Sequence, residues 1–213
     1  MNNIRNDKTM NELHNDVSNL VIVGSWNKDI FTPEWVKENL LDGQDFQVLF
    51  PMNSLNSLKF DVVTKYSFAI NMNRLEFQLH DSSDGASREM IATARKLLRC
   101  LVHTPIVSFG VNFVYKSERQ GLLNGLSHTK DIKEHLTAEV ESAEVTRVFN
   151  LGQGKVLNFK VVQKGAATFF DFNYSYNVKN AQNLIDVLGD DDDVIIRKRQ
   201  VSENILNSVY GNE

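Results

Sequence analysis

Two seven-residue stretches, FGVNFVY at 109–115 and FDFNYSY at 170–176, share one spelling: Phe, any residue, an apolar residue, Asn, an aromatic, any residue, Tyr. Side chains on a strand alternate between two faces. Phe109, Val111, Phe113 and Tyr115 therefore share one face, and so do Phe170, Phe172, Tyr174 and Tyr176. The opposite faces hold Ser108, Gly110 and Asn112 in one stretch and Asp171, Asn173 and Ser175 in the other. This pattern predicts two half-buried strands of a common antiparallel sheet, with the aromatic side against helices and the amide side toward water. FAINM at 68–72 sets Asn71 in the same phase.

The remaining elements support an α+β class in which mostly antiparallel sheet packs on amphipathic helices. LVIV at 20–23 reads as a strand ending at Gly24. A helix then starts at a Thr32 cap with Pro33 in its first turn, turns Trp35, Val36 and Leu40 inward, and closes at Gly43. FQVLFP at 46–51 reads as a strand. The segment 66–79 changes its apolar parity near Asn73, which predicts a hairpin. A helix over 87–103 buries Met90, Ile91, Ala94, Leu97, Leu98 and Leu101 and stops before Pro105. A short polar helix is expected near 129–139.

Three further strands form a meander through the GQGK and KGA turns. Asn180 caps a helix that ends at Gly189, and a last helix after four aspartates, 190–193, is expected to bury Val194, Val201, Ile205 and Val209. The organisation is a polar N-terminal arm over 1–19 and one domain over 20–213. That domain has two strands-then-helix sub-lobes, about 20–118 and 140–213, joined by 119–139.

A formal charge of −4 and a pI near 5.8 supply no net positive field for a polyanion, so nucleic acid is not the expected partner. The basic clusters Arg95-Lys96-Arg99 and Arg197-Lys198-Arg199 read as solvated helix faces. Cys100 is the only cysteine, which excludes an internal disulfide and fits a reducing compartment. No stretch reaches the roughly twenty apolar residues of a membrane helix, and the N-terminus has no apolar core of signal-peptide length. A cytoplasmic location without a membrane partner is the expectation.

No catalytic set assembles from the sequence. His103 sits at a helix C-terminus, where a cation suits the dipole. His128 and His135 are seven residues apart, too far to chelate as an i, i+4 pair, and His14 and His80 have no ligand partner nearby in sequence. The aspartates at 190–193 lack the spacing of a calcium loop and read as a charged helix start, Asp193 pairing with Arg197. GSWN, GLLNG and GQGK lack the lysine and hydroxyl of a phosphate loop, and there is no Gly-x-Ser-x-Gly elbow. Neither metal nor cofactor is expected. Trp26, Phe31 and Trp35 read as a buried lid on the core.

TPIVSFGVNFVY after an amphipathic helix, and FFDFNYSY before a helical tail, resemble a sporadically distributed family of uncharacterised bacterial proteins. The resemblance implies an α+β fold and a bacterial or phage setting and transfers no functional residue; an accessory or defence-related process is the expectation. The functional expectation is a non-enzymatic module that binds another protein, or a second copy of itself, through an exposed strand edge or sheet face. The alternative is a small-molecule-binding protein or enzyme using the polar strand face at Asn112, Asp171 and Asn173.

Overall fold

In the computed structural model the described residues are 12–14, 16–49, 57–118, 141–189 and 192–210. Their strands are β1 (Glu12–Leu13), β2 (Leu20–Gly24), β3 (Gln47–Leu49), β4 (Leu58–Val62), β5 (Tyr66–Ile70), β6 (Arg74–Leu79), β7 (Ile106–Ser117), β8 (Ser142–Gly152), β9 (Lys155–Lys164) and β10 (Ala167–Asn177). The helices are α1 (Pro33–Asn39), α2 (Asp84–Cys100), α3 (Ala181–Leu188) and α4 (Val194–Tyr210). All strands join one antiparallel sheet in the order β3-β4-β5-β6-β2-β7-β10-β9-β8, and β1 also pairs with β7. The α+β class with a mostly antiparallel sheet is therefore the observed one. The polar helix expected near 129–139, with His128 and His135, lies outside the described residues.

The two aromatic ribbons are neighbours. β7 and β10 pair with Asn112 opposite Asn173, Phe113 opposite Phe172 and Tyr115 opposite Phe170. Successive pairings then carry one apolar row across the whole sheet: Val48, Phe60, Phe68, Phe77, Leu20, Val111, Tyr174, Leu157 and Phe149. From Phe60 to Leu157 every member of that row is buried. Each fully buried large side chain contributes roughly 1.5–3 kcal/mol, so this row and its neighbours tie the halves of the chain into one core.

The helices cover that apolar face. α2 lies centrally, in contact with α1, α3, α4 and β6, while α4 also packs on β7. Local signals set their ends: Thr32, Ser83 and Asn180 accept backbone N–H groups at the starts of α1, α2 and α3. Gly189, at φ 74°, follows the last turn of α3. Between β8 and β9 the turn places both Gln153 (φ 51°) and Gly154 (φ 72°) in the left-handed region, as a twisted two-residue hairpin requires.

Several expectations need correction. α2 starts at Asp84 because Ser83 caps it, three residues before the expected start. LKFDV at 58–62 is an additional strand. Asn71 leaves the sheet face, its side chain accepting the N–H groups of Asn73 and Arg74 in the β5–β6 turn. Trp26 and Phe31 are buried as expected, while Trp35 is half-buried with its ring 5.4 Å from Phe31.

On α4 the buried stripe is Val194, Ile195, Ile196, Ser202 and Leu206, whereas Val201 and Val209 are exposed. The sheet offers tyrosine hydroxyls there: Tyr174 hydrogen-bonds Ser202 at 3.0 Å, and the Lys198 ammonium lies over the rings of Tyr174 and Tyr176. Polar residues therefore take inward positions that an apolar count assigns to valines.

The basic clusters are structural as well. Arg95 pairs with Asp192 at 2.6 Å and donates to the Gly189 carbonyl; Arg88 meets Asp193 at 2.7 Å; Arg199 reaches Asp84 and the Ser82 carbonyl; Lys96 meets Asp42. These contacts stitch α2 to the segment after α1 and to the segments before and within α4, and Arg95 and Arg199 are largely withdrawn from water.

The sidedness of the sheet predicts contrasting costs. Phe172→Ala empties a site packed by Phe113, Tyr115 and Phe159 and should lower unfolding free energy by about 3–5 kcal/mol. Val148→Ala on exposed β8 should stay within about 0.5 kcal/mol. Urea unfolding followed by tryptophan fluorescence measures both, and equal costs would contradict the assigned faces.

Candidate functional site

The face opposite the helices is where Asn112 and Asn173 meet. Asn158 Nδ2 donates to Asn173 Oδ1 at 2.9 Å, Asn173 Nδ2 donates to Asn112 Oδ1, and Asn112 Nδ2 donates to the Ser18 carbonyl at 2.8 Å. Asn158, Asn173 and Asn112 thus form one directional amide ladder over β9, β10 and β7 that ends on the Ser18 carbonyl. Asn19, just before β2, ties in through backbone: its Nδ2 donates to the Asn112 carbonyl and its Oδ1 accepts the Leu79 N–H at 2.8 Å.

The ladder belongs to a longer polar row. On the other half of the same face Gln47 stands opposite Asp61, Asp61 opposite Ser67, and Ser67 opposite Gln78. His80, just past β6, places Nε2 3.4 Å from Asp61. Within the ladder Asn173 and Asn112 each give one N–H and one carbonyl to neighbours or to backbone, and Asn158 gives one N–H, so much of the bonding capacity is already used inside the sheet. That arrangement fixes strand register first and leaves single N–H groups and lone pairs for anything arriving from solvent.

Asp171 sits two residues before Asn173 on the same face, opposite Val114 on β7 and Lys160 on β9. Burial raises its carboxyl above the ordinary carboxylate range; Lys160 opposes that shift, and Glu144 adds to it. Lys160 Nζ is 3.1 Å from Glu144 Oε2, so one ammonium serves two carboxylates on β10 and β8. Sequence phase places Asp171 on this face but cannot supply these two partners, because they come from neighbouring strands.

Two cavities among the described residues are modest. One of about 270 Å³ lies between α1 and β3, lined by Pro33, Lys37, Phe46 and Val48. Another of about 120 Å³ lies beside Tyr66, Glu89, Thr93 and Lys96. Both fall below the roughly 300–1,000 Å³ common for small-molecule sites. Burial pushes the Tyr66 hydroxyl up to about 12, and it bonds Thr93 at 2.7 Å. Among the described residues, no group of three or more His, Cys, Asp or Glu could hold a metal ion. His103 is exposed at the end of α2, and His14 lies 4.0 Å from Asp16. No described helix is long and apolar enough to cross a membrane.

The feature that sequence phase misses is the sheet's asymmetry at its two margins. One edge is β3, three residues long; the other is β8, eleven residues long. At ~3.4 Å per residue β8 presents about 37 Å of backbone, and among the described strands it pairs with β9 alone. Val148 is 67% exposed, Phe149 45% and Leu151 47%. Natural edges are usually blunted by shortness, charge, proline or bulges. β8 has no proline, only Glu144 and Arg147 as charges, and a register shift confined to its end between Asn150 and Gly152. Adjacent apolar residues of opposite parity, Val148 and Phe149, are the sequence signal: such a strand puts apolar side chains on both faces.

Comparison of the chain with protein-family models, with curated proteins and with solved structures returns no match.

Two measurements probe the polar face. Asn173→Ala removes the middle of the ladder and should cost about 1–2 kcal/mol in urea unfolding, with the loss concentrated in hydrogen-exchange protection of β7, β9 and β10. Asp171 has a folded-state pKa above its unfolded value, so its neutral form favours folding and ionisation removes that contribution as pH rises through the folded pKa. Asp171→Asn should therefore raise the thermal midpoint at neutral pH, and the gain should shrink as pH falls through the carboxyl range. A gain that grew on acidification would reverse the assignment.

Proposed function

We propose that this chain is a non-enzymatic protein-binding module whose docking element is the β8 edge. The single observation that carries this reading is an eleven-residue unblunted edge strand with Val148 and Phe149 exposed on its two faces. Free backbone N–H and C=O groups along such an edge accept an added strand, and alternate side chains supply specificity. The ion-paired helix layer and the mutually bonded amides support the same reading, since both commit their polar groups to holding the sheet rigid behind that edge.

A small-molecule site on the polar face is the second reading. It is favoured by the half-buried carboxyl of Asp171 beside Lys160, because a desolvated acid with a specific charge partner is a recurrent mark of functional sites. An Asp171→Ala, Asn173→Ala double variant that folds normally and keeps full biological activity would remove it.

For the leading reading, Val148→Lys adds a charge to the edge without touching the core. Affinity capture from the native host, read by mass spectrometry, should recover a partner with the wild-type chain and lose at least ten-fold of it with the variant. Identical recovery by both, or none by the wild type, would count against the edge as docking element.

A further inference from the structure

From the same edge, and resting on the protein-binding reading above, we infer that one occupant of β8 is a second copy of this chain, paired antiparallel about a two-fold axis at Val148. Three observations single out this occupant and register. First, among the described residues the sheet has one long edge, β8, and β8 against β8 matches two equal eleven-residue ladders and closes at a dimer.

Second, directly opposed residues must come from the same face, so the axis passes through a residue. Centring on Arg147 would set two guanidiniums face to face, and like charges directly opposite destabilise a strand pair. Centring on Thr146 would set Val148 against Glu144 and Phe149 against Ala143. Centring on Phe149 would set Val148 against Asn150, whereas centring on Val148 sets Val148 against its own copy and Arg147 against Phe149.

Third, that register uses the charge on β8 that points to the helix side. Arg147 lies on the helix-side face, and a charge pointing to that side of an edge ordinarily discourages pairing. Opposite the second copy's Phe149 the guanidinium gains an aromatic face instead. On the other face Glu144 is held by Lys160, so it brings no unpaired charge to the seam.

Cross-linking tests the register directly. In a Cys100→Ser background, Val148→Cys should give a disulfide-linked dimer under mild oxidation, because opposed residues lie about 4.5–5.5 Å apart and a disulfide tolerates Cα separations of about 4.4–6.8 Å. Thr146→Cys should not, since it lies opposite the second copy's Asn150, ~14 Å along the strand from its own counterpart.

Sedimentation of the untagged wild type at micromolar concentration should report twice the 24.3 kDa chain mass. Val148→Lys should report one chain mass with an unchanged circular dichroism spectrum. A monomeric wild type, or Thr146→Cys linking as readily as Val148→Cys, overturns the inference. The broader reading is judged separately: a monomer whose host partner is still lost in Val148→Lys keeps the docking edge and removes only the second copy.

Discussion

The pairing of β10 with β7 is the constraint on which the rest of the structure depends. A one-residue slip between those strands would exchange faces, presenting the amides to the helices and the aromatic rings to water. Two opposite forces hold the register. On the helix side Phe109 stacks on Tyr176 with ring centres 4.4 Å apart and Tyr115 meets Phe172 edge-on. On the other side Asn173 bonds Asn112, and buried or half-buried amides are costly to leave unpaired. Because β7 also carries β2 and β10 also carries β9, an error in this one pair would propagate across the apolar row in both directions.

That lock explains how much of the fold could be read from the chain. Period-two alternation over 109–115 and 170–176 gives the faces, and the hairpin turns at Asn73, Gly154 and Gly165 give the local pairings. The order of strands does not follow from alternation, since β2 lies between β6 and β7 through contacts distant in sequence. β4 escapes notice because LKFDV is short and carries two charges.

The face of α4 is misread for a related reason: apolar counting ranks Val201 above Ser202, yet the sheet below presents a tyrosine hydroxyl that a serine satisfies and a valine cannot. At the candidate site the phase of Asn112, Asp171 and Asn173 is legible. Their partners, Asn158, Lys160 and Glu144, are set by register between strands and become visible only in three dimensions.

Charge is distributed in a way that leaves the sheet's far side available. Helix-borne arginines that a sequence reader assigns to solvent are spent between helices, on Asp192, Asp193 and Asp84. Such pairs contribute little to stability when exposed and more when drawn from water, as Arg95 and Arg199 are. Their chief effect is positional. They fix α2 and α4 against one another above the apolar row.

A sheet built this way has to manage its margins, and it does so unequally. Among the described residues β3 gives one margin three residues, and β8 gives the other eleven and pairs with β9 alone. The exposed Val148, Phe149 and Leu151 carry an apolar area that contact would remove from water. If the strand were merely tolerated, the apolar residues would fall on one face, as overflow from the core. With Val148 at the end of the amide row and Phe149 at the end of the aromatic row, the exposed apolar residues of β8 continue both surfaces of the sheet to its margin.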